Sequence, residues 1–131
     1  YLVGLKEIDI FVLRLGGLVG AGRHPIKSLS GRHDIPHPKH RVNLVHQADV
    51  IEAIMAIVSN DELPSAPYNI VAPLHPERKS YYEAKAAELN LTPPEFEEDE
   101  DVSSNKIING DKITQETDFS YRYPDPATMP F

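Results

Sequence analysis

The chain of 131 residues contains no cysteine. This absence excludes disulfide bonds, thiolate metal sites and a cysteine nucleophile from these residues, and it fits a reducing compartment. Long apolar runs are also missing. None approaches the roughly 18 residues of a membrane span, and no signal peptide is visible. We therefore expect a cytoplasmic protein without a membrane partner.

Positive charge is scarce as well. Lys and Arg number 13 against 20 Asp and Glu, which gives a formal net charge of -7. Because nucleic-acid binding depends largely on cationic side chains that neutralise phosphates, we expect no nucleic-acid partner. The length is that of a single domain, and no internal repeat is present.

The strongest pattern lies in residues 41–58, RVNLVHQADVIEAIMAIV. A β-type run over residues 42–46 passes into an amphipathic helix, for which Asp49 and Glu52 predict a capping box. Apolar residues at helical spacing predict the buried face, namely Ala48, Ile51, Ile54, Met55 and Val58, and Val50, Ala53 and Ile57 widen it. A helix with so much apolar surface must be covered on two sides, which predicts a layered α/β fold.

Shorter patterns predict the other elements. Residues 10–15 are largely apolar on both faces, as in an interior strand of a parallel sheet, and Asn90 is a plausible carboxyl-terminal helix cap. The remaining predictions are strands at residues 68–72 and 107–108, helices at residues 25–31, 76–89 and 110–116, and a solvated acidic loop at residues 95–101.

A glycine-rich loop, GGLVGAG at residues 16–22, follows the first predicted strand. Exposed amides at a strand-to-helix junction attract anions. The spacing, however, is neither G-x-G-x-x-G nor that of a P-loop, so a tight turn is the better interpretation. Ligands of open α/β sheets bind at this carboxyl end of the strands.

Three histidines, His33, His37 and His40, have the spacing of a helical zinc site. Pro36 and Pro38 lie between them and exclude a helix, and the neighbouring cations disfavour a dication. We therefore predict no metal site, and interpret the segment as a cationic loop that can meet an anionic ligand.

Two further polar pairs call for interpretation. Tyr81 and Lys85 have the Y-x-x-x-K spacing of a proton shuttle, but any amphipathic helix produces this pair by chance, and we predict no catalytic role for it. His46 and Asp49 at the strand-to-helix junction are either structural partners or part of a site. Asn43 within its apolar strand needs a polar partner and can line an internal polar site.

Taken in order, four motifs resemble one known family: FVLRLGGLVGAGRHP, NLVHQADVIEAI, YNIV with HPERKSYYEAKAAEL, and F-x-Y-R-Y-P. They resemble the carboxyl-terminal half of extended short-chain dehydrogenase/reductases, in particular the NAD-dependent epimerase/dehydratase group of nucleoside-diphosphate-sugar epimerases. In that family a strand ending in L-R leads to a G-x-Y-G-P-G-R loop, and a later strand ends in I-H-x-x-D before a helix. The matching positions here are Arg14, Gly20, Gly22, Arg23, His46 and Asp49.

The resemblance implies a partial Rossmann-type α/β fold, in which residues 1–131 form a single portion: the carboxyl-terminal strands and helices with the small substrate-binding region. In the family the glycine loop lies near the nicotinamide and the substrate. The expected partner is a small-molecule, sugar-like substrate. The predicted substrate-binding residues are Gly16, Gly17, Leu18, Arg23, Asn43 and His46.

The chain also departs from the family pattern. It has no amino-terminal G-x-x-G-x-x-G, and the family's catalytic Y-x-x-x-K belongs upstream of Tyr1. We therefore predict no catalytic, cofactor-binding or metal-binding residue, and expect NAD or NADP only in a complete family member. Ala21 replaces the usual loop proline, and Val42 stands where nucleotide-sugar epimerases often have a phosphate-binding arginine, with Arg41 one position away.

Two hypotheses about function follow. In the first, the chain is the substrate-binding carboxyl-terminal part of an NAD(P)-dependent epimerase/dehydratase-like protein, lacks the cofactor-binding half and is not catalytically complete by itself. In the second, it is a free-standing binding module that has lost oxidoreductase chemistry. That module would form a homo-oligomer through the exposed sheet edge at residues 11–13.

Overall fold

The computed structural model describes residues 8–98 and 105–131. Within them the fold is α/β with parallel strand pairing, as predicted. In chain order the elements are β1 (Phe11–Leu15), β2 (Gly17–Val19), α1 (Ile26–Leu29), β3 (Leu44–His46), α2 (Gln47–Val58), β4 (Ala66–Ile70), α3 (Arg78–Glu88), α4 (Lys112–Glu116) and a 3-10 helix (Pro126–Thr128). None of the described helices has the length and apolar character needed to cross a bilayer.

β1 and β2 form one extended run that changes its neighbour at Gly16. β1 pairs in parallel with β4, and β2 pairs in parallel with β3. The Gly16 N–H donates to the carbonyl of Ile70 at 3.1 Å, whereas the Gly17 N–H donates to the carbonyl of Asn43 at 2.8 Å. The chain therefore passes from one partner strand to the other within two residues.

The change of partner requires glycine at position 16. A Cβ atom there would lie 2.7 Å from the carbonyl oxygen of Asn43, which belongs to the backbone and cannot rotate away. At Gly17 a Cβ atom would lie 2.8 Å from Cδ2 of Leu44, the end of a flexible side chain. Close backbone approach thus explains Gly16 more directly than contact with a ligand does.

The sheet face and edge formed by β1 are partly open. Phe11 and Leu13 pack against the core, but the side chains of Val12 and Leu15 are 49% and 45% exposed. Within the described residues, β4 is the only strand paired with β1. The prediction that both faces of this strand are covered is therefore wrong for the described chain, because only one face has a layer packed on it.

Two apolar clusters form the core, one on each side of β3. Leu44 belongs to one cluster and Val45 to the other, because successive side chains of a strand point to opposite faces. The first cluster also contains Val19, Ile26, Val42, Ala72, Tyr81, Tyr82, Ala86 and Met129; the second contains Ala53, Ile57, Leu63, Tyr68, Ile70, Ile113 and Phe119. β3 is thus covered on both faces.

The helix α2 forms where the spacing of its apolar residues predicted it, but it buries a different face from the predicted one. Ala53 and Ile57 pack against the sheet, while four residues of the predicted buried stripe are exposed: Ile51, Ile54, Met55 and Val58. A helix that is apolar around most of its circumference does not reveal by period alone which side the sheet will cover.

The predicted capping box of α2 is also wrong. The helix begins at Gln47, and its N-cap is His46, whose Nδ1 accepts the Ala48 N–H at 3.0 Å. Asp49 therefore lies within the first turn, and its carboxylate binds a distant segment that is described below.

Other elements follow the predictions with local changes. Asn90 has a φ of 55° after α3, and the Leu91 N–H donates to the Ala86 carbonyl at 2.8 Å, which confirms the predicted cap. Residues 107–108 form no strand. In the acidic segment, Glu95 and Glu97 pair through their backbone with Ile35, so this part is not simply a solvated loop; residues 99–104 lie outside the described residues.

We expect Gly16→Ala to reduce the free energy of unfolding by about 1–3 kcal/mol, because the added methyl group meets backbone at the strand crossover. Urea denaturation monitored by circular dichroism measures this loss. Gly17→Ala is the matched control and should cost less, since the Leu44 side chain can rotate. Equal losses at the two positions would contradict the explanation.

Candidate functional site

A cleft of about 480 Å³ opens beside the glycine turn and the start of α1. Its lining contains three of the six predicted substrate-binding residues. These are Gly17, Leu18 and Arg23, and the other lining residues are His24, Pro25, Lys27 and Ser28. The cleft lies where the run of β1 and β2 ends, the position at which open α/β sheets place ligands.

The turn that borders the cleft spans residues 20–23. The Gly20 N–H donates to the Arg23 carbonyl at 2.9 Å, and the Arg23 N–H donates to the Gly20 carbonyl at 3.0 Å. Both central residues have positive φ, 53° at Ala21 and 80° at Gly22, as in a type I′ turn. A tight turn is thus present at residues 20–23, whereas residues 17–19 of the predicted loop form the strand β2.

Two cations stand at the edge of the cleft. Arg23 and Lys27 are both exposed, and the Lys27 Nζ donates to the Gly22 carbonyl at 2.6 Å and lies 5.7 Å from the centre of the Phe131 ring. In an acidic protein this is a local concentration of positive charge, which favours an anionic group such as a phosphate or carboxylate. Lys27 is not among the predicted site residues, although its position four residues after Arg23 was the available signal.

The wall of the cleft contains a buried histidine. His24 is 4% exposed, and its Nδ1 accepts the Ile26 N–H at 3.0 Å. The proton of the neutral ring is therefore assigned to Nε2, which donates to the Tyr81 hydroxyl at 2.8 Å. Burial, with a smaller contribution from Lys85, lowers the pKa of His24 from 6.5 to about 4, so the ring is neutral at physiological pH.

The Y-x-x-x-K pair of α3 is part of the same buried network. The Tyr81 hydroxyl donates to the Pro126 carbonyl at 3.2 Å, and burial raises the pKa of Tyr81, which opposes use of the phenol as an acid or base. The Lys85 Nζ donates to Glu88 at 2.9 Å and to the Ala127 carbonyl at 3.2 Å. The observed contacts of this pair are structural, and the absence of a catalytic role stays a prediction.

The other three predicted site residues do not line the cleft. Gly16 is the point of strand exchange. The Asn43 side chain donates to the Lys106 carbonyl at 2.9 Å and accepts the Ile108 N–H at 2.8 Å, which holds the segment that was predicted to be a strand. Substrate binding by these residues stays a prediction, and their observed contacts are structural.

His46 is engaged at both ring nitrogens. Because its Nδ1 accepts the Ala48 N–H, its Nε2 donates to the Pro130 carbonyl, at 2.7 Å. The ring also lies 4.5 Å from that of Tyr123. The structure thus brings His46 against the strap, our name for residues 119–131, and not against the cleft.

Asp49 holds the same strap. Its side chain is fully buried, and its two carboxylate oxygens accept the backbone N–H groups of Arg122 at 2.7 Å and Tyr123 at 3.1 Å. The Arg122 side chain forms an ion pair with Glu52. The partners of Asp49 therefore lie more than 70 positions along the chain, in the F-x-Y-R-Y-P motif, and this motif was the available signal for them.

The histidine-rich loop has another arrangement. His33 contacts Glu95 at 2.6 Å, and the rings of His37 and His40 stack with their centres 4.2 Å apart. Among the described residues, no three potential ligand side chains are grouped so that they could hold a metal ion.

Comparison with known proteins adds to this geometry. Protein YeeZ of Escherichia coli, in strain K12 and in O157:H7, is 43% identical over 130 residues, which are 99% of this chain and 47% of YeeZ. The chain thus spans about half the length of the curated relatives that it matches. No protein-family model matches it.

Solved structures share the fold at low sequence identity. A conserved protein of unknown function from Silicibacter pomeroyi aligns with a TM-score of 0.69 and 24% identity, over 88% of this chain and 45% of that one. MoeE5, in complex with UDP-glucose and NAD, aligns with a TM-score of 0.67 and 19% identity, over 88% of this chain and 43% of that one. A human epimerase family protein with NADPH aligns with a TM-score of 0.67 and 15% identity, over 89% of this chain and 45% of that one.

The chain shares its fold with slightly less than half of each of these proteins, one of which is an epimerase family protein. The resemblance stated from the sequence motifs is confirmed at this level. Two of the structural neighbours described above were solved with NAD or NADPH, which is a property of those proteins.

The buried His24 predicts a loss of stability in mild acid. The pKa of His24 is lower in the folded state than the 6.5 of an unfolded chain. Its contribution to the free energy of unfolding is therefore complete above pH 6.5 and disappears as the pH falls toward about 4. Between pH 7 and pH 5 this linkage removes about 2 kcal/mol of unfolding free energy. Urea denaturation at both pH values measures it.

His24→Gln removes the titrating group and should flatten this part of the pH dependence, whereas His33→Gln, at an exposed position, should keep it. An unchanged pH dependence in His24→Gln would contradict the assignment.

Asp49→Asn is expected to loosen the strap. The amide can accept through only one oxygen, so one of the two backbone N–H groups loses its acceptor, at a cost of about 3 kcal/mol. Hydrogen exchange of the Arg122 and Tyr123 amides should accelerate. Glu52→Gln affects only a surface ion pair and should cost less than about 1 kcal/mol. If the two variants exchanged alike, Asp49 would not be the anchor.

Proposed function

We propose that this chain is the substrate-binding part of an NAD(P)-dependent epimerase/dehydratase-like cytoplasmic protein, and that its cleft receives an anionic, sugar-like small molecule. The observation that carries the proposal is the grouping of Gly17, Leu18 and Arg23 around one cleft, with Lys27 beside them. The family resemblance selected the first two positions and matched the third independently of the structure.

The lining supports this ligand class. Arg23 offers a planar guanidinium, and Lys27 a second positive charge, for a phosphate or carboxylate. Gly17 contributes backbone to the lining, while Leu18 and Pro25 provide an apolar wall for a ring. A sugar nucleotide combines these features, and MoeE5, which shares the fold, was solved with UDP-glucose and NAD.

The described residues do not fit a dinucleotide by themselves. The turn at residues 20–23 leads to α1, which has four residues, and the sequence lacks the glycine fingerprint of a dinucleotide site. We therefore assign no cofactor to this chain alone. NAD or NADP, which would supply the hydride chemistry, would be held by the further portion that the longer relatives possess.

One observation favours the alternative function, that of an oligomerising module without chemistry. β1 exposes Val12 and Leu15, and such an edge can pair with a second copy. Under the first proposal the same edge is where the sheet continues into the rest of a longer protein. The two candidates therefore differ in what covers β1.

We expect Arg23→Ala to weaken the binding of UDP-glucose by the intact protein about tenfold, because one charge-assisted contact to the ligand is lost. Isothermal titration calorimetry measures this change. Arg32→Ala removes an exposed cation outside the cleft and should stay within about twofold of the parent. Equal affinities of the parent and Arg23→Ala, or no binding of UDP-glucose by the parent, would contradict the proposed ligand site.

A further inference from the structure

Two lysines lie beside one aromatic ring at the edge of the cleft. The Nζ atoms of Lys27 and Lys85 are 5.7 Å and 5.8 Å from the centre of the Phe131 ring. A cation within about 6 Å of a ring centre is attracted by the negative face of the ring. Phe131 belongs to the strap and does not line the cleft, whereas Lys27 does. The strap therefore contacts a cation of the cleft.

The two lysines differ in whether a carboxylate neutralises their charge. Lys85 is 3% exposed, and its Nζ donates to Glu88 at 2.9 Å. Lys27 is exposed, and its Nζ donates to the Gly22 carbonyl at 2.6 Å. This carbonyl and the Phe131 ring are both neutral, so within the described part of the chain the Lys27 ammonium group is held without a carboxylate partner. Its positive charge stays available to an anion.

Lys27 depends on such contacts because its own helix gives its side chain little support. α1 has four residues, and a lysine side chain on an exposed surface is long and flexible. The Gly22 carbonyl and the Phe131 ring approach the ammonium group as two separate contacts, which restricts its position more than either contact alone. A cation that is ordered before the ligand arrives loses less conformational entropy when it binds an anion.

The Phe131 ring is itself positioned by the core of the protein. It packs against the first apolar cluster, and its centre lies 4.5 Å from that of the buried His24 ring. In the preceding residues, the Pro130 carbonyl accepts the His46 Nε2–H at 2.7 Å, and Met129 is 2% exposed. The ring is therefore a fixed support against which the flexible lysine can be ordered.

We propose that Phe131 is a positioning residue of the candidate ligand site, whose ring holds the Lys27 ammonium group at the edge of the cleft for an anionic group of the ligand. The role in ligand binding rests on the function proposed above. The contact between ring and ammonium group does not, because it is present without a ligand.

The first test compares UDP-glucose binding by variants of the intact protein, by isothermal titration calorimetry. Phe131→Leu keeps an apolar side chain but removes the ring, and should weaken binding about two- to fivefold. Phe131→Tyr keeps the ring and should bind as the parent does. Phe96→Leu is the matched control, because Phe96 is also half-buried, packs against the same cluster and lies near a cation, Arg78, but does not contact Lys27. It should leave the dissociation constant unchanged.

A double-mutant cycle separates positioning from a general loss of structure. Lys27→Met removes the ammonium group, so Phe131→Leu should have no further effect on the affinity in that background. A general loss of structure would instead weaken binding by the same factor with and without Lys27. Equal factors in the two backgrounds would therefore overturn the proposal.

The second test needs no ligand. In NMR spectra of the free protein, the ring current of Phe131 should shift the proton resonances of the Lys27 ε-methylene group upfield. The shift should disappear in Phe131→Leu and persist in Phe96→Leu. If the parent and Phe131→Leu have the same Lys27 resonances, the ring does not hold the lysine and the proposal fails. A parent that shows the shift but does not bind UDP-glucose would support the positioning of Lys27 and contradict the proposed ligand.

Discussion

The buried carboxylate of Asp49 is the contact on which the rest of this structure depends. Removing a charge from water costs several kcal/mol unless hydrogen bonds replace the lost hydration, and here two backbone N–H groups do so. These bonds fix the start of the strap against α2. From there the strap contributes Phe119 to one apolar cluster and Met129 to the other, so one ionic anchor unites both parts of the core.

The strap also connects the H-x-x-D residues with the cleft. His46 holds the Pro130 carbonyl, and the adjacent Phe131 ring lies 4.5 Å from the ring of His24 and close to Lys27. The position of Lys27 at the edge of the cleft therefore depends on a segment anchored at the other side of the fold. Residues that do not line the cleft can influence it in this way, because they set the position of a cation at its edge.

Much of the secondary structure was predictable, since local patterns carry it. The period of α2, the tight turn at residues 20–23 and the cap at Asn90 all follow from residues close in sequence. Three of the seven residues that line the cleft, Gly17, Leu18 and Arg23, were also selected from the sequence motif. The prediction that Asp49 caps α2 was wrong because its carboxylate binds residues more than 70 positions away. Rules based on neighbouring residues cannot predict such a contact.

By itself, the sequence determined the chemistry that these residues can offer: no thiols, an excess of negative charge, a helix apolar on most sides and a glycine where the chain changes its partner strand. Only the tertiary structure decided which side of α2 packs against the sheet and where the chain leaves β4 to pair with β3. It also decided which polar residues line the cleft and which contact the strap. The physical reason is that the spacing of apolar residues and the preference for turns depend on residues that are close together in the sequence. Burial and hydrogen-bond partners are instead set by whichever distant segments fold against them.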